Sequence, residues 1–140
     1  MGIFSGLYDL ASDTPQPPNR IRVLVVDDNV DLAQLTTWLL QKYGFVVETV
    51  YSGPSGVAAA RSFQPHFILL DIGLPGLDGY QVAEMIRSDP ELKHVVIIAV
   101  SAYGSDAQLS RSPSACFNFH LTKPVAFDDL LPFLRLERSP

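Results

Sequence analysis

The sequence lacks the features that mark secreted and membrane proteins. Cys116 is the only cysteine, so the chain cannot form an internal disulfide. No stretch approaches the roughly 18 consecutive apolar residues of a membrane-spanning helix. The opening residues have neither a basic start nor a small-residue cleavage site, so they do not resemble a signal peptide. These absences predict a cytoplasmic location without a membrane partner.

Positive charge is also scarce. The chain has 10 Lys and Arg against 15 Asp and Glu, a formal net charge of -5, and the basic residues form no cluster. Direct binding of nucleic acid is therefore disfavoured, because it depends mainly on neutralising phosphates. An apolar content of 47% argues against disorder, and 140 residues provide one ordinary domain. We expect acidic side chains that bind a metal ion rather than a basic binding surface.

The composition divides the chain into a tail and a single domain. Residues 1–20 are predicted to form a flexible tail or linker, because three prolines stand among polar residues between positions 12 and 19. The apolar residues before this stretch have near-helical spacing, which permits a short helix that docks on another molecule, such as a second copy in a homodimer. Residues 21–138 are predicted to form the folded domain.

Within this domain, apolar runs rich in β-branched residues alternate with amphipathic segments. Strands are predicted at 21–26, 45–51, 67–71, 95–100 and 119–121. The first predicted helix, 30–43, has Leu32, Leu35 and Leu39 on one stripe. Ser52 and Asp78 precede two further helices, and others are predicted from about residue 105 and over 128–136. This alternation predicts an α/β fold, a doubly wound parallel sheet with helices on both faces.

Polar residues end or directly follow four of the five predicted strands. They are Asp27 and Asp28, then Asp71, Ser101 and Lys123. Each alone has an ordinary explanation, such as helix capping for the acid pair. An acid pair, an acid, a hydroxyl and a cation at four strand ends, however, are improbable as a chance combination. Since ligands bind beyond the carboxyl ends of strands in open parallel sheets, we expect one shared site.

The segments VLVVDDN, FILLDIGLPGLDGYQ, AVSAYG and HLTKPV resemble the receiver domain of bacterial two-component response regulators, including the chemotaxis-regulator type. The resemblance covers about residues 21–136. It implies a flavodoxin-like five-stranded sheet with the strand order 2-1-3-4-5. It also implies a phosphoacceptor in a phosphorelay, phosphorylated by a sensor histidine kinase or a histidine phosphotransfer protein. Phosphorylation would then switch binding to an output protein, without enzymatic activity beyond slow self-phosphorylation and self-dephosphorylation.

The same resemblance assigns roles to the strand-end residues. Asp71 would be the phosphoacceptor and Lys123 would bind the phosphoryl group. A Mg²⁺ ion would be held by Asp28, Asp71 and the backbone carbonyl of Gly73, with Asp27 acting mostly through a coordinated water. The ion and the lysine would supply three positive charges against three carboxylates, which otherwise favour protonation.

Further residues correspond to the family's switch. Ser101 would donate its hydroxyl to the phosphoryl group, and His120 stands where the family often has the Tyr or Phe that turns inward. An ordinary half-exposed strand histidine remains an alternative for His120. Pro124 is predicted to follow a cis peptide bond. Pro113 falls inside the predicted fourth helix, which it should shorten or break.

Two other functions remain open from the sequence. A haloacid-dehalogenase-like phosphatase also uses a strand-end aspartate and Mg²⁺, but it normally needs a second acid where this chain has Gly73. The second alternative is an interaction scaffold that is never phosphorylated. The chain would serve either as a stand-alone regulator or as a piece of a longer hybrid kinase.

Overall fold

The five predicted strands form one parallel sheet. The computed structural model describes residues 21–74, 76, 78–101, 117–123, 125, 126, 128–130 and 132. The strands are β1 (Arg22–Val26), β2 (Val46–Val50), β3 (Phe67–Asp71), β4 (Val96–Ser101) and β5 (Phe119–Thr122). Their order in the sheet is β2-β1-β3-β4-β5, and all pairs are parallel. The predicted fold class and strand order are therefore confirmed.

Helices connect the strands and cover both faces of the sheet. They are α1 (Val30–Lys42), α2 (Gly53–Phe63) and α3 (Gly79–Arg87), followed by a 3₁₀ turn at Pro90–Leu92. Residues 128–130 and 132 are also helical, in agreement with the predicted last helix. The predicted fourth helix and Pro113 lie outside the described residues. In the part of the chain that the structure describes, no helix has both the length and the apolar character of a membrane span.

A polar side chain begins each of the three helices. Asn29, Ser52 and Asp78 each accept a hydrogen bond from a backbone N–H in the first turn of the helix that follows. Such caps satisfy amide groups that have no partner within the helix. Asp78 forms a reciprocal capping box with Gln81, which fixes the start of α3.

The core consists of two apolar layers, one on each face of the sheet. Neighbouring residues in a strand point to opposite faces, so Leu24 and Ile68 pack towards α2 and α3, whereas Val25 and Leu69 pack on the side of α1. Strands β3 and β4 are buried along their whole length. Burial on both faces holds the strands in fixed register, which in turn fixes the residues at their ends.

One prediction about α1 is wrong. Leu35, expected on the buried stripe, is 53% exposed, and the buried residues of the helix are Ala33 and Leu40. The leucines at 32 and 39 are half-buried at the border of this face. The small Ala33 lets the helix lie close to the sheet. The helix therefore packs on the face that contains Ala33 and Leu40, and not on the stripe of leucines. Trp38 is also exposed, and the Nζ of Lys42 lies 4.6 Å from its ring centroid in a cation–π contact.

Gly79, the first residue of α3, provides a test of how closely this helix packs on the turn after β3. A Cβ at this position would lie 2.3 Å from the Cα of Ile72 and 2.8 Å from the carbonyl oxygen of Asp71. Because both neighbours are backbone atoms, Gly79→Ala should lower the free energy of unfolding by about 2 kcal/mol or more, measured by urea denaturation.

Gly44→Asn is the matched control for this substitution. Gly44 has a φ of +94°, where asparagine is strained less than most residues, and a Cβ there would meet nothing within 4 Å, so the cost of the substitution is backbone strain alone. Its loss should stay below about 1 kcal/mol. Equal losses in the two variants would contradict the close contact at Gly79.

Candidate functional site

Three carboxylates meet at the carboxyl edge of the sheet. Asp27 and Asp28 follow β1, and Asp71 ends the adjacent strand β3. Each offers a carboxylate oxygen, and these oxygens all lie within 4.8 Å of one another. Asp27 and Asp71 are buried, whereas Asp28 is exposed. The structure therefore brings together the three acids that the sequence analysis selected.

Lys123 connects the two buried acids. Its Nζ donates a hydrogen bond to Oδ2 of Asp71 at 3.1 Å and lies 3.4 Å from Oδ2 of Asp27. The lysine directly follows β5, and its backbone N–H donates to the carbonyl oxygen of Ser101 at 2.7 Å. The backbone at the edge of the sheet thus positions the ammonium group of a residue after β5 beside Asp71 at the end of β3, two strands away.

Backbone amides orient both buried carboxylates. Oδ1 of Asp71 accepts the N–H of Gly73 at 2.9 Å, and Oδ1 of Asp27 accepts the N–H of Asn29 at 2.9 Å. Each acid therefore has one oxygen on the amide two residues further along the chain and the other oxygen beside Lys123. These donors are fixed by the turns that follow β1 and β3, so the two carboxylates are held in place before any ligand binds.

Burial and neighbouring charges shift the pKa values of Asp27 and Lys123. Burial raises the pKa of Asp27, and the Asn29 hydrogen bond and the charge of Lys123 only partly oppose this effect. Burial acts to lower the pKa of Lys123, but hydrogen bonding and charge from Asp71, with the charge of Asp27, outweigh it and raise that pKa. The lysine therefore stays protonated at neutral pH.

The donor set fits a hard divalent cation. With all groups charged, three carboxylates and one ammonium leave a charge of −2 (1 − 3). All of the available ligand atoms at the cluster are oxygens, which Mg²⁺ prefers, and the exposed Asp28 faces solvent from which an ion enters. The residues present can thus hold the ion that the sequence analysis predicted.

Ser101 and His120 form a second polar contact near the acids. Ser101 ends β4 and is only 2% exposed, and its Oγ lies 3.0 Å from Nε2 of the half-buried His120 on β5. The ring of His120 is therefore directed at the serine hydroxyl. Pro124, predicted to follow a cis peptide bond, lies outside the described residues. Gly73, predicted to bind the ion through its backbone carbonyl, lies in the turn after β3.

The sequence analysis missed the contribution of Asn29. It considered helix capping as an alternative role for the acid pair, but Asn29 is the cap of α1, with its Oδ1 accepting the N–H of Leu32 at 3.1 Å. Its own N–H holds Asp27 in place. The signal was present, since an asparagine directly before a helical pattern is a frequent N-cap.

Comparison with known proteins adds independent information. A family model described as "Response regulator receiver domain" matches residues 23–135. Protein PilH of Pseudomonas aeruginosa is 33% identical over 110 residues, which cover 79% of this chain and 91% of PilH. Response regulator PleD of Caulobacter vibrioides is 34% identical over 117 residues, covering 82% of this chain. The chain spans 25% of the length of PleD.

Solved structures share the fold. A CheY-like response regulator receiver domain protein from Methanospirillum hungatei has a TM-score of 0.76 and 26% identity, over 85% of this chain and 94% of its own. The chemotaxis response regulator CheY4 of Vibrio cholerae has a TM-score of 0.77 over 84% of this chain and 98% of its own. At 24% identity, CheY4 shows the fold alone.

The raised pKa of Asp27 leads to a prediction about stability and pH. A carboxyl whose pKa is raised on folding stabilises the fold at low pH, and this contribution is lost as the pH rises through the folded-state pKa. Without divalent ions, Asp27→Asn should therefore raise the free energy of unfolding at about pH 7, because the variant buries no carboxylate charge at this position. The gain should shrink as the pH is lowered towards about pH 4, because the native carboxyl takes up its proton as the pH falls through the folded-state pKa.

Urea denaturation at the two pH values, with a chelator present, measures this effect. Asp31→Asn serves as the control, because Asp31 is exposed in the first turn of α1 and its loss should slightly destabilise the helix. A gain for Asp27→Asn that does not depend on pH, or a loss at neutral pH, would refute the prediction.

Proposed function

We propose that Asp71 is the phosphoacceptor of this chain, which belongs to the response regulator receiver domain family. The role of this family is to accept phosphoryl groups in two-component signalling. One observation carries the assignment. Asp71 is a buried carboxylate at the end of a central strand, oriented by the N–H of Gly73 and by Lys123 and grouped with two further acids.

The proposed reaction transfers a phosphoryl group from a phosphohistidine. A carboxylate oxygen of Asp71 forms a bond to phosphorus while the bond between phosphorus and the imidazole nitrogen of the donor breaks. The leaving imidazole keeps the electron pair, and the product on Asp71 is an acyl phosphate. Such transfers need mainly positioning and neutralisation of charge on the phosphoryl oxygens. Lys123 already lies beside Asp71 and would donate to one of these oxygens.

Asp27, Asp28 and Asp71 would hold a Mg²⁺ ion together with the backbone carbonyl of Gly73. The ion would supply two positive charges beside the transferred phosphoryl group. Asp27 is already tied to the N–H of Asn29 and to Lys123, which suits the indirect, water-mediated role predicted for it. Ser101, at the end of the strand next to β3, would donate its hydroxyl to the phosphoryl group.

The domain limits and partners are also part of the proposal. Residues 21–138 would form the receiver and residues 1–20 a tail or linker. The phosphoryl donor would be a sensor histidine kinase or a histidine phosphotransfer protein, and an output protein or a second copy of the chain would read the result. The similar segment makes up 91% of PilH but only 25% of PleD, so both arrangements, a stand-alone regulator and a part of a longer protein, stay open for this chain. We place this function in the cytoplasm, without direct nucleic-acid binding.

Of the two alternatives, the phosphatase is disfavoured by Gly73, which offers no carboxylate where that enzyme class needs its second acid. A scaffold without phosphorylation does not explain why two buried acids share one lysine. We therefore propose no turnover beyond slow gain and loss of the phosphoryl group by the domain itself.

Incubation with acetyl phosphate and Mg²⁺ tests the phosphoacceptor. Intact mass spectrometry should show one added phosphoryl group on the wild-type chain and none on Asp71→Asn, because the variant lacks the attacking carboxylate. Asp89→Asn is the control, since Asp89 caps the 3₁₀ turn that precedes β4, at the opposite edge of the sheet from the acids, and asparagine caps equally well. Absence of an adduct on the wild-type chain would favour the scaffold, and repeated turnover of phosphate esters would favour the phosphatase.

Titration with Mg²⁺ by calorimetry tests the metal site. Asp28→Asn should weaken binding at least about tenfold, because it removes a negative charge from direct contact with the ion. Asp31→Asn, which changes an exposed acid outside the cluster, should leave the affinity within about threefold, a difference below 1 kcal/mol. Equal effects of the two substitutions would mean that the ion responds to overall charge and not to this cluster.

A further inference from the structure

The contact between Ser101 and His120 restricts what the serine hydroxyl can do. Ser101 Oγ lies 3.0 Å from Nε2 of His120, and the serine is almost fully buried. A hydroxyl has one proton to donate and two lone pairs that accept. It therefore cannot donate to His120 and to a phosphoryl oxygen at the same time.

This restriction determines the protonation of Nε2 in the phosphorylated state. If the Ser101 hydroxyl donates to the phosphoryl group, its contact with His120 persists only when Nε2 carries a proton and donates to Oγ. An unprotonated Nε2 would face a serine lone pair, so two acceptors would meet without a proton between them, which costs free energy. A neutral imidazole can carry its proton on either ring nitrogen, so protonation of Nε2 requires a particular tautomer and no movement of the ring.

We infer that His120 is a positioning residue for Ser101: its Nε2–H donates to Oγ and directs the serine proton towards the phosphoryl group on Asp71. This inference rests on the proposed function of Asp71. It assigns His120 a hydrogen-bonding role, which differs from the space-filling role of an aromatic ring. A phenylalanine would fill a similar volume but has no hydrogen-bonding atom.

The sheet keeps the two groups together. In the pairing of β4 with β5, Ala99 is opposite His120 and Ser101 is opposite Thr122. The strand ends are joined further by the bond from the Lys123 N–H to the Ser101 carbonyl. The imidazole and the hydroxyl thus project from paired strands, which keeps the two side chains in contact.

Two substitutions separate the hydrogen-bonding role from the space-filling role, because the two roles predict opposite results. His120→Gln keeps a side-chain N–H donor but loses the ring, and His120→Phe keeps the ring but loses the donor. The probe is beryllium fluoride with Mg²⁺, a mimic of a phosphoryl group on a carboxylate, and binding is followed by fluorine NMR. We expect His120→Phe to weaken binding about tenfold, equivalent to about 1.4 kcal/mol. His120→Gln should stay within about threefold of wild type.

The reverse order, or equal losses in both variants, overturns the inference. The matched control is His94→Gln, which changes an exposed histidine before β4 and should leave binding unchanged. Thermal unfolding followed by circular dichroism verifies that each variant is folded.

A second measurement uses the wild-type chain and needs no variant of His120. Nitrogen NMR of the labelled imidazole should show a proton on Nε2 of His120 when beryllium fluoride is bound, and an unprotonated Nε2 in that state overturns the inference. Failure of the proposed function is recognised separately. In that case the wild-type chain and Asp71→Asn would behave alike towards beryllium fluoride, whereas normal wild-type binding that is equal in His120→Phe refutes the role of His120 alone.

Discussion

The repulsion among three carboxylates at one edge of the sheet is the constraint on which the rest of the site depends. Their oxygens lie within 4.8 Å of one another, and Lys123 is the cation that contacts the two buried ones. At an effective dielectric of about 20, each close pair of unit charges is worth roughly 4 kcal/mol, so the arrangement persists only because other interactions hold it. The apolar layers on both faces of β1, β3 and β4 provide this support. The apolar core thereby holds the acids together although their charges repel, and an added cation would reduce this repulsion.

The two sides of the site are held in different ways. On the side of β1 and β3, backbone amides in short turns orient Asp27 and Asp71, and the close approach of Gly79 fixes the turn after β3. These contacts have little freedom, since moving them requires moving the core. On the side of β4 and β5, the contact between Ser101 and His120 joins two side chains, whose protons can be redistributed without moving the backbone. The first side suits binding and the second suits a response to what is bound.

Much of this could be predicted from the sequence, because it depends on local patterns. The strand β3 was predicted at its observed limits, and the acids, serine and lysine were recognised because charge and polarity stand out at the ends of apolar runs. Errors arose where the answer depends on packing. Leu35 was placed on the buried face of α1, since periodicity selects the large residues, whereas the small Ala33 decides how the helix approaches the sheet.

The direction of the His120 ring shows a different limit of prediction. Its contact with Ser101 depends on the pairing of β4 with β5 and on a side-chain rotamer, neither of which a single sequence states. The sequence could say only that a histidine stands where this family often has another aromatic residue. Packing alone would make these residues interchangeable, but the observed contact joins the histidine to the hydroxyl that we propose as a donor to the phosphoryl group. The strand-end acids are thus recognisable from the sequence, whereas the hydrogen-bonding role that we propose for His120 depends on polar contacts that only the structure shows.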